Sequence, residues 1–127
     1  MQDKSLFEYA VIRIVPRVER EEFLNVGVVL YCADQKFLKA VFELNEARVK
    51  AIFPDADITL IHAYLCAFRQ ICAADVNAGP ISQLPGAERF RWLTATRSTI
   101  LQTSNVHSGL CLNAEETLLG LYKKLVE

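Results

Sequence analysis

The chain has 127 residues, of which 52% are hydrophobic and 23% charged, and its formal net charge is −1. This length suits one domain with one core, and the hydrophobic content argues against intrinsic disorder. The near-neutral charge excludes a whole-molecule field that would attract nucleic acid or anionic lipid. We therefore expect one domain over residues 1–127, with an ordered core from about residue 9 to residue 126.

Three predicted strands follow one another in the first part of the chain. Residues 9–15 are rich in β-branched and aromatic types and are closed by Pro16. Residues 25–32 form the second predicted strand and residues 37–44 the third, with short connections between them. Short links between consecutive strands indicate an antiparallel meander.

Period-two alternation assigns the side chains of these strands to two faces. The face expected to form the main core carries Ala10, Ile12, Ile14, Val26, Val28, Leu30, Leu38, Ala40, Phe42 and Leu44. Arg13 and Asn25 belong to the other face, where we expect Arg13 to lie opposite Gly27. Two interpretations of Arg13 stay open: a cross-strand pair with Glu43, or an arginine held flat to receive an anion.

Helices are predicted from capping residues and hydrophobic periodicity. Asn45 caps a short helix that ends near residue 52, and a longer amphipathic helix covers residues 57–75. The apolar arc of the longer helix is wide, which indicates burial against both the sheet and a second element. Asn113, with Glu116 three residues later, begins the last helix.

Residues 81–112 lack a clear periodicity. We expect residues 98–103 to form a fourth strand with residues 90–94 extended beside it, and the whole segment to overlay the second face of the sheet. The elements together predict an α+β domain, with an antiparallel sheet of about four strands and helices packed on one face.

Residues 89–97 combine three arginines with Phe90 and Trp92. Guanidinium forks suit phosphates and flat rings suit bases, so the segment is a candidate anion or nucleic-acid site. The alternative is that both rings enter the core while Arg89 and Arg91 alternate outward along a strand. We favour the alternative because the chain is not basic.

His107 lies in a polar stretch, residues 102–109, that supplies hydroxyls, an amide and an imidazole. A hydrolytic site can be built from such groups, but no acidic residue between Glu88 and Glu115 is available to orient the imidazole. We favour a loop that hydrogen-bonds its own backbone.

Neither a metal nor a cofactor is expected. His62 and Cys66 are four residues apart on the long helix, but two further ligands are not placed nearby. The four cysteines, which are Cys32, Cys66, Cys72 and Cys111, form no Cys-x-x-Cys pair, so we expect buried free thiols.

The sequence also carries expectations about localisation. The start of the chain lacks the basic residues and apolar run of a secretory signal. Its most apolar stretch, residues 58–74, is too short and too often interrupted for a membrane span. We therefore expect a cytoplasmic protein that does not contact membranes.

Several of these segments occur in a recognisable order: Tyr9-Ala-Val-Ile-Arg13, Asn25-Val-Gly-Val-Val-Leu30, Trp92-Leu-Thr-Ala95, Arg97-Ser-Thr99, Gln102 and Val106-His-Ser-Gly109. From about residue 9 to residue 126 the chain resembles a small bacterial family known as domain of unknown function 3037. That family has no assigned reaction. The resemblance implies that its members share six polar positions, which here are Arg13, Asn25, Arg97, Ser98, Gln102 and His107. It also implies a kinase-like protein partner, of the HipA-like kinase fold.

The residues and the resemblance together predict one polar pocket or seam on the second face of the sheet, formed by Arg13, Asn25, Arg97, Ser98 and His107. The favoured function is a non-catalytic binding or regulatory module for a protein partner, because no complete catalytic set is visible and the chain is better described as not an enzyme. The wide apolar arc of the long helix is also compatible with a homodimer.

The alternative function is a site that binds an anion, a nucleotide or a nucleic acid. Such a site could also process a phosphoester. In that site Arg13 and Arg97 would clamp a phosphate-bearing ligand. Ser98 and Asn25 would donate hydrogen bonds, and His107 would act as general acid or base.

Overall fold

The computed structural model describes residues 3–20, 22–96 and 99–127. In chain order the described elements are β1 (Ser5–Ile14), β2 (Leu24–Cys32), β3 (Phe37–Phe42), α1 (Glu46–Ile52), α2 (Ile58–Cys72), α3 (Gly86–Thr94), β4 (Leu101–Thr103), β5 (His107–Cys111) and α4 (Ala114–Leu125). Short 3-10 helices at Val18–Arg20, Val76–Ala78 and Pro80–Gln83 join some of them. The predicted α+β class is confirmed.

The sheet is antiparallel and is built around β1. Its order is β3-β2-β1, and two short strands share the far edge of β1. There β4 pairs with residues 12–14 and β5 with residues 5–9. The predicted meander of the first three strands is confirmed.

The sheet has five strands, whereas about four were predicted. β5 was assigned to a polar loop because its His-Ser-Gly start has low β-propensity. Pairing with the distant residues 5–9 holds it in the sheet, and this long-range contact leaves no local signal. Ser98, the start of the predicted fourth strand, lies outside the described residues.

A β-bulge interrupts β2. Ile12 pairs with Gly27. The next residue, Arg13, pairs with Asn25, which leaves Val26 as the extra residue. The predicted pairing of Arg13 with Gly27 is therefore wrong by two residues, of which the bulge accounts for one.

The same bulge changes which residues of β2 face which core. Val26 packs beneath α2, but Val28 and Leu30 pack on the opposite face, against α4. The prediction that all three share the main core face is wrong for the two residues after the bulge. A strict period of two fails wherever one strand carries an extra residue.

Helices cover both faces of the sheet, so the prediction of helices on one face is wrong. One core, beneath α2 and α3, includes Ala10, Ile12, Ile14, Val29, Ala40, Ile61, Leu65, Phe68, Phe90 and Leu93. The other, beneath α4, includes Phe7, Val28, Leu30, Cys32, Cys111, Leu118 and Tyr122. The predicted overlay of the second face by residues 81–112 is also wrong, because α4 occupies that face. Both faces of the central strands are apolar, so each needs a covering layer.

Three predicted helix starts are confirmed by their caps. The Asn45 side chain accepts a hydrogen bond from the backbone N–H of Arg48 at 3.0 Å. Asp57 and Asn113 cap α2 and α4 in the same way. These side chains satisfy N–H groups that the first turn of a helix leaves unpaired.

α3 corrects the prediction that residues 90–94 are extended. Its buried residues, Phe90 and Leu93, are three apart, which is a helical spacing. Trp92, expected in the core, is 39% exposed. A run of five residues fits both a helical and a strand period, so the pattern alone could not separate them.

Candidate functional site

Three of the predicted site residues lie side by side across the sheet. Arg13 on β1 pairs with Asn25 on β2 at one side and with Gln102 on β4 at the other. Directly paired residues point to the same face of a sheet, so these three side chains form one polar row. The Asn25 amide donates to the carbonyl oxygen of Leu125 at 3.3 Å, which places the row at the C-terminal end of α4.

Arg13 contacts an aromatic ring. Its guanidinium carbon is 3.9 Å from the centroid of the Phe23 ring, a cation–π contact. Its Nε is buried and has no hydrogen-bond partner among the described residues, and the same holds for Oδ1 of Asn25. Burial lowers the pKa of Arg13, but a guanidinium remains charged at neutral pH.

The predicted cross-strand pair of Arg13 with Glu43 does not form between these two described residues. The Glu43 carboxylate instead accepts a hydrogen bond from the hydroxyl of Tyr122 at 3.4 Å. Burial and the nearby Glu43 carboxylate raise the pKa of Tyr122, so its hydroxyl keeps its proton. Arg13 is therefore a cation with an aromatic support and no carboxylate partner in the described chain.

His107 does not join this row. It pairs with Tyr9, four residues before Arg13 on β1, and four residues of extended strand span roughly 13 Å. Its imidazole is exposed and stands beside the Tyr9 ring, with 5.4 Å between ring centroids. Arg97 and Ser98 lie outside the described residues, so the described chain brings together only Arg13 and Asn25 of the predicted pocket. Gln102, a predicted site residue that was not part of that pocket, joins them.

The polar stretch around Ser104 serves the backbone. The Ser104 hydroxyl accepts a hydrogen bond from the Val11 N–H at 2.8 Å and donates to the next carbonyl along the chain. The Thr99 hydroxyl donates to the carbonyl of Leu101, and the Gln102 amide donates to the carbonyl of Thr99. These side chains serve the backbone, as the favoured interpretation predicted, but the stretch is not a single loop, because Gln102 lies in β4 and His107 begins β5.

Arg89 closes the end of a helix. Its Nη1 donates to the carbonyl oxygens of Ile71 and Cys72, at 2.9 and 2.8 Å, and its Nε donates to that of Leu84 at 2.9 Å. The first two carbonyls belong to the last turn of α2, where carbonyl groups lack intrahelical partners. The Ile71 carbonyl also accepts the backbone N–H of Ala74 at 3.2 Å. The predicted outward direction of Arg89 is therefore wrong, although Arg91 is exposed as expected.

An apolar cleft opens between α2, α3 and β4, with a volume of about 180 Å³. Its apolar lining consists of Tyr64, Ala67, Phe68, Ile71, Trp92, Leu93, Ala95 and Leu101. Tyr64 is 42% exposed, and Leu60, one turn earlier on α2, is exposed to the same degree. Sequence reasoning did not identify this cleft, but the wide apolar arc of the long helix was a signal for it.

That arc is only partly covered. Ile61, Leu65 and Phe68 are buried, and α3 supplies the expected second element. Leu60 and Tyr64, which belong to the predicted arc, remain exposed beside the cleft. The described chain thus leaves an apolar strip of α2 accessible to another molecule.

The cysteines and histidines do not assemble a metal centre. Among the described residues, no three His, Cys, Asp or Glu side chains are placed to share an ion. His62 and Cys66 are neighbours on α2, with Sγ 3.7 Å from Nδ1. All four cysteines are free, and burial raises the pKa of Cys72 to about 12, so that thiol stays protonated.

No helix within the described ranges is both long enough and apolar enough to cross a bilayer.

The fold and these two surfaces define an α+β domain that presents an apolar cleft and a separate polar row. The chain belongs to the family described as protein of unknown function (DUF3037), whose model matches residues 9–126. Neither a curated protein nor a solved structure matches the chain. The resemblance drawn from the motifs is confirmed, and the family description carries no activity.

Proposed function

We propose that this chain is a cytoplasmic, non-catalytic binding module whose cleft between α2, α3 and β4 receives a protein partner. The observation that carries this proposal is the exposed apolar strip of Leu60 and Tyr64 running into the cleft beside Trp92. Tyrosine and tryptophan at the rim of an apolar pocket are the residue types that dominate binding energy at protein interfaces. The free cysteines suit a reducing compartment.

The size of the cleft limits what it can accept. A cavity of roughly 150 Å³ holds a benzene ring, so about 180 Å³ has room for one aromatic or leucine side chain. The occupant is then a partner segment that inserts one large apolar side chain and packs alongside Leu60 and Tyr64. The kinase-fold protein implied by the family resemblance is the first partner class to examine.

The polar row supports binding in preference to catalysis. Arg13, Asn25 and Gln102 supply hydrogen-bond donors and acceptors, but none of them is a nucleophile or a general base at neutral pH. His107, the predicted acid or base, lies opposite Tyr9 and at a distance from the row. We therefore assign no reaction to this site.

Co-purification from the native host tests the proposal. Tagged wild type, Tyr64→Asp and Leu119→Asp are compared, because Leu119 is similarly exposed, at 49%, but lies on α4. We expect one stoichiometric partner with the wild type and with Leu119→Asp, and its loss with Tyr64→Asp, since a buried unpaired carboxylate is costly. Recovery of no stoichiometric partner, or full retention by Tyr64→Asp, would contradict the proposal.

Anion binding at the polar row is a second candidate function, and one observation favours it. Arg13 is a partly buried cation whose guanidinium lies over the Phe23 ring and has no carboxylate partner in the described chain. Such a guanidinium suits a phosphate or carboxylate, and the neighbouring Gln102 amide adds a donor.

Thermal unfolding in the presence of inorganic phosphate and a nucleotide panel tests this second candidate. An anion at a hundred times its dissociation constant should add about 2.7 kcal/mol to the free energy of unfolding. We expect that stabilisation to disappear in Arg13→Gln and to persist in Arg91→Gln, whose arginine is exposed on α3. Absence of stabilisation by every anion, or equal stabilisation of both variants, would exclude the site.

A further inference from the structure

A thiol and an imidazole stand together on the outer side of α2. The Cys66 Sγ lies 3.7 Å from Nδ1 and 3.8 Å from Nε2 of His62, which is one turn earlier on the helix. His62 is exposed and Cys66 is half-buried, so ions in solution can reach both side chains. Each of them follows Leu60 or Tyr64 by two positions, about 200° around the helix, so the pair faces away from the cleft.

The spacing of the two donor atoms suits one tetrahedral metal ion. Zinc binds a thiolate at about 2.3 Å and an imidazole nitrogen at about 2.0–2.1 Å, which at a tetrahedral angle sets sulfur and nitrogen roughly 3.5–3.6 Å apart. The separations between Cys66 and His62 are only slightly longer, and rotation of the exposed imidazole aims either nitrogen at a shared ion. Thiolate and imidazole are also the ligands that Zn²⁺ prefers in proteins.

One chain supplies only half of such a site. A structural zinc site takes four protein ligands, and no third His, Cys, Asp or Glu of the described residues joins the pair. Charge also favours a second, identical pair, because two thiolates neutralise Zn²⁺ whereas one thiolate leaves a positive charge uncompensated. The missing ligands are therefore those that a second copy of this chain presents.

The surface around the pair admits a second α2 helix. The neighbouring residues on the outer side of α2 are Thr59, Ala63 and Gln70, which are small or uncharged. Arg69, the only charged residue of α2, directs its guanidinium to the Phe42 ring, with 5.4 Å to the ring centroid. Two antiparallel α2 helices can thus approach without bringing their charged side chains together. In that arrangement the His62 side chain of each copy lies level with Cys66 of the other.

We propose that two copies of this chain share one Zn²⁺, which is bound by His62 and Cys66 of each copy. On binding, each Cys66 thiol loses its proton to solvent and each His62 binds through a neutral ring nitrogen, with no change in oxidation state. The contact is related by a two-fold axis through the ion and closes after two subunits. The cleft lies on the other side of α2, so this proposal is independent of the proposed function.

Sedimentation equilibrium of the purified chain, with and without metal, tests the proposal. A phosphine reductant is present throughout, so that a disulfide between two copies of Cys66 cannot form. We expect a monomer of 14.3 kDa in EDTA, and twice that mass when one Zn²⁺ is added for every two chains. Co²⁺ in place of Zn²⁺ should give the absorption of a tetrahedral ion with thiolate ligands, saturating at the same ratio.

Variants of the two ligands locate the site. His62→Ala and Cys66→Ser should each abolish the Zn²⁺-induced dimer and the cobalt absorption, while circular dichroism shows a native fold. His107→Ala is the matched control, because His107 is also exposed but lies on β5, and it should behave like the wild type. A wild-type mass that Zn²⁺ leaves unchanged, saturation at one ion per chain, or a dimer retained by Cys66→Ser overturns the proposal.

Discussion

At the scale of single residues, two arginines of this chain show how context decides a role. Arg89 is surrounded by carbonyl oxygens and holds the end of α2 against the following segment. Arg13 contacts an aromatic ring and keeps an unpartnered Nε among the described residues. The hydrogen bonds of Arg89 are satisfied within the fold, whereas Arg13 keeps capacity to bind, so of these two arginines Arg13 is the candidate for ligand recognition.

Replacing Arg89 tests its structural role. Arg89→Met keeps most of the aliphatic stem but removes the guanidinium donor from three carbonyl oxygens, of which only that of Ile71 keeps a backbone donor, the Ala74 N–H. We expect the free energy of unfolding to fall by about 2–3 kcal/mol, the cost of losing charge-assisted hydrogen bonds. Urea denaturation measures this fall in the free energy of unfolding.

Arg91→Met is the matched control for that experiment, because Arg91 is exposed two residues further along α3. Its free energy of unfolding should stay within about 0.5 kcal/mol of the wild type. Equal stabilities of the two variants would show that the carbonyl contacts of Arg89 contribute nothing measurable.

At the scale of elements, the bulge in β2 organises the sheet. It lets Leu24 and Val26 face α2 while Val28 and Leu30 face α4, so one strand serves both cores. Directly after it, Gly27 approaches β3 closely. A Cβ added at Gly27 would lie 2.5 Å from the Val41 carbonyl oxygen and 2.6 Å from Cβ of Phe42.

Gly27→Ala tests this close approach. The added methyl group must push β3 away, and we expect a loss of about 1–3 kcal/mol in the free energy of unfolding, as for other overpacked sites. Gly120→Ala is the control, because a Cβ there meets nothing within 4 Å and Gly120 is inside α4. That variant should gain about 0.5–1 kcal/mol from helix propensity. A Gly27→Ala protein as stable as the wild type would contradict the geometry.

Elements with a local signature were predictable from the sequence. Asn45, Asp57 and Asn113 each combine a capping side chain with a following hydrophobic period, and each begins a helix. The alternation of β1 and β3 also assigned their faces correctly. The sequence does not predict β5, because its pairing with residues 5–9 is a long-range contact. The predicted faces of β2 are wrong only after Val26, the extra residue that reverses the alternation.

The candidate site was predictable to the same extent. Asn25 comes before the extra residue, Val26, so the bulge does not reverse its direction. Asn25 pairs directly with Arg13, and the assignment of both residues to one face is correct. The distance between Arg13 and His107 depends on where β5 pairs along β1, which no local pattern specifies. The cleft beside Tyr64 arises from the position of α3, a helix that was predicted as an extended segment.

At the scale of the whole molecule, the sheet separates two surfaces with different chemistry. α2 and α3 build an apolar cleft on one face, while the polar row lies on the other face beside the end of α4. A partner in the cleft therefore leaves the polar row accessible. This arrangement is the physical basis for the proposal that the chain is a binding module whose docking surface is the apolar cleft.

The affinity of the purified partner for the chain is the most direct test of that central claim. Isothermal titration should show that Tyr64→Asp weakens binding by about 2 kcal/mol or more, roughly thirtyfold in the dissociation constant, as expected for a tyrosine at the centre of an interface. Leu119→Asp, with a similarly exposed leucine on α4, should bind like the wild type. Equal affinities of the wild type and Tyr64→Asp would show that the partner binds elsewhere, and the cleft would lose its assigned function.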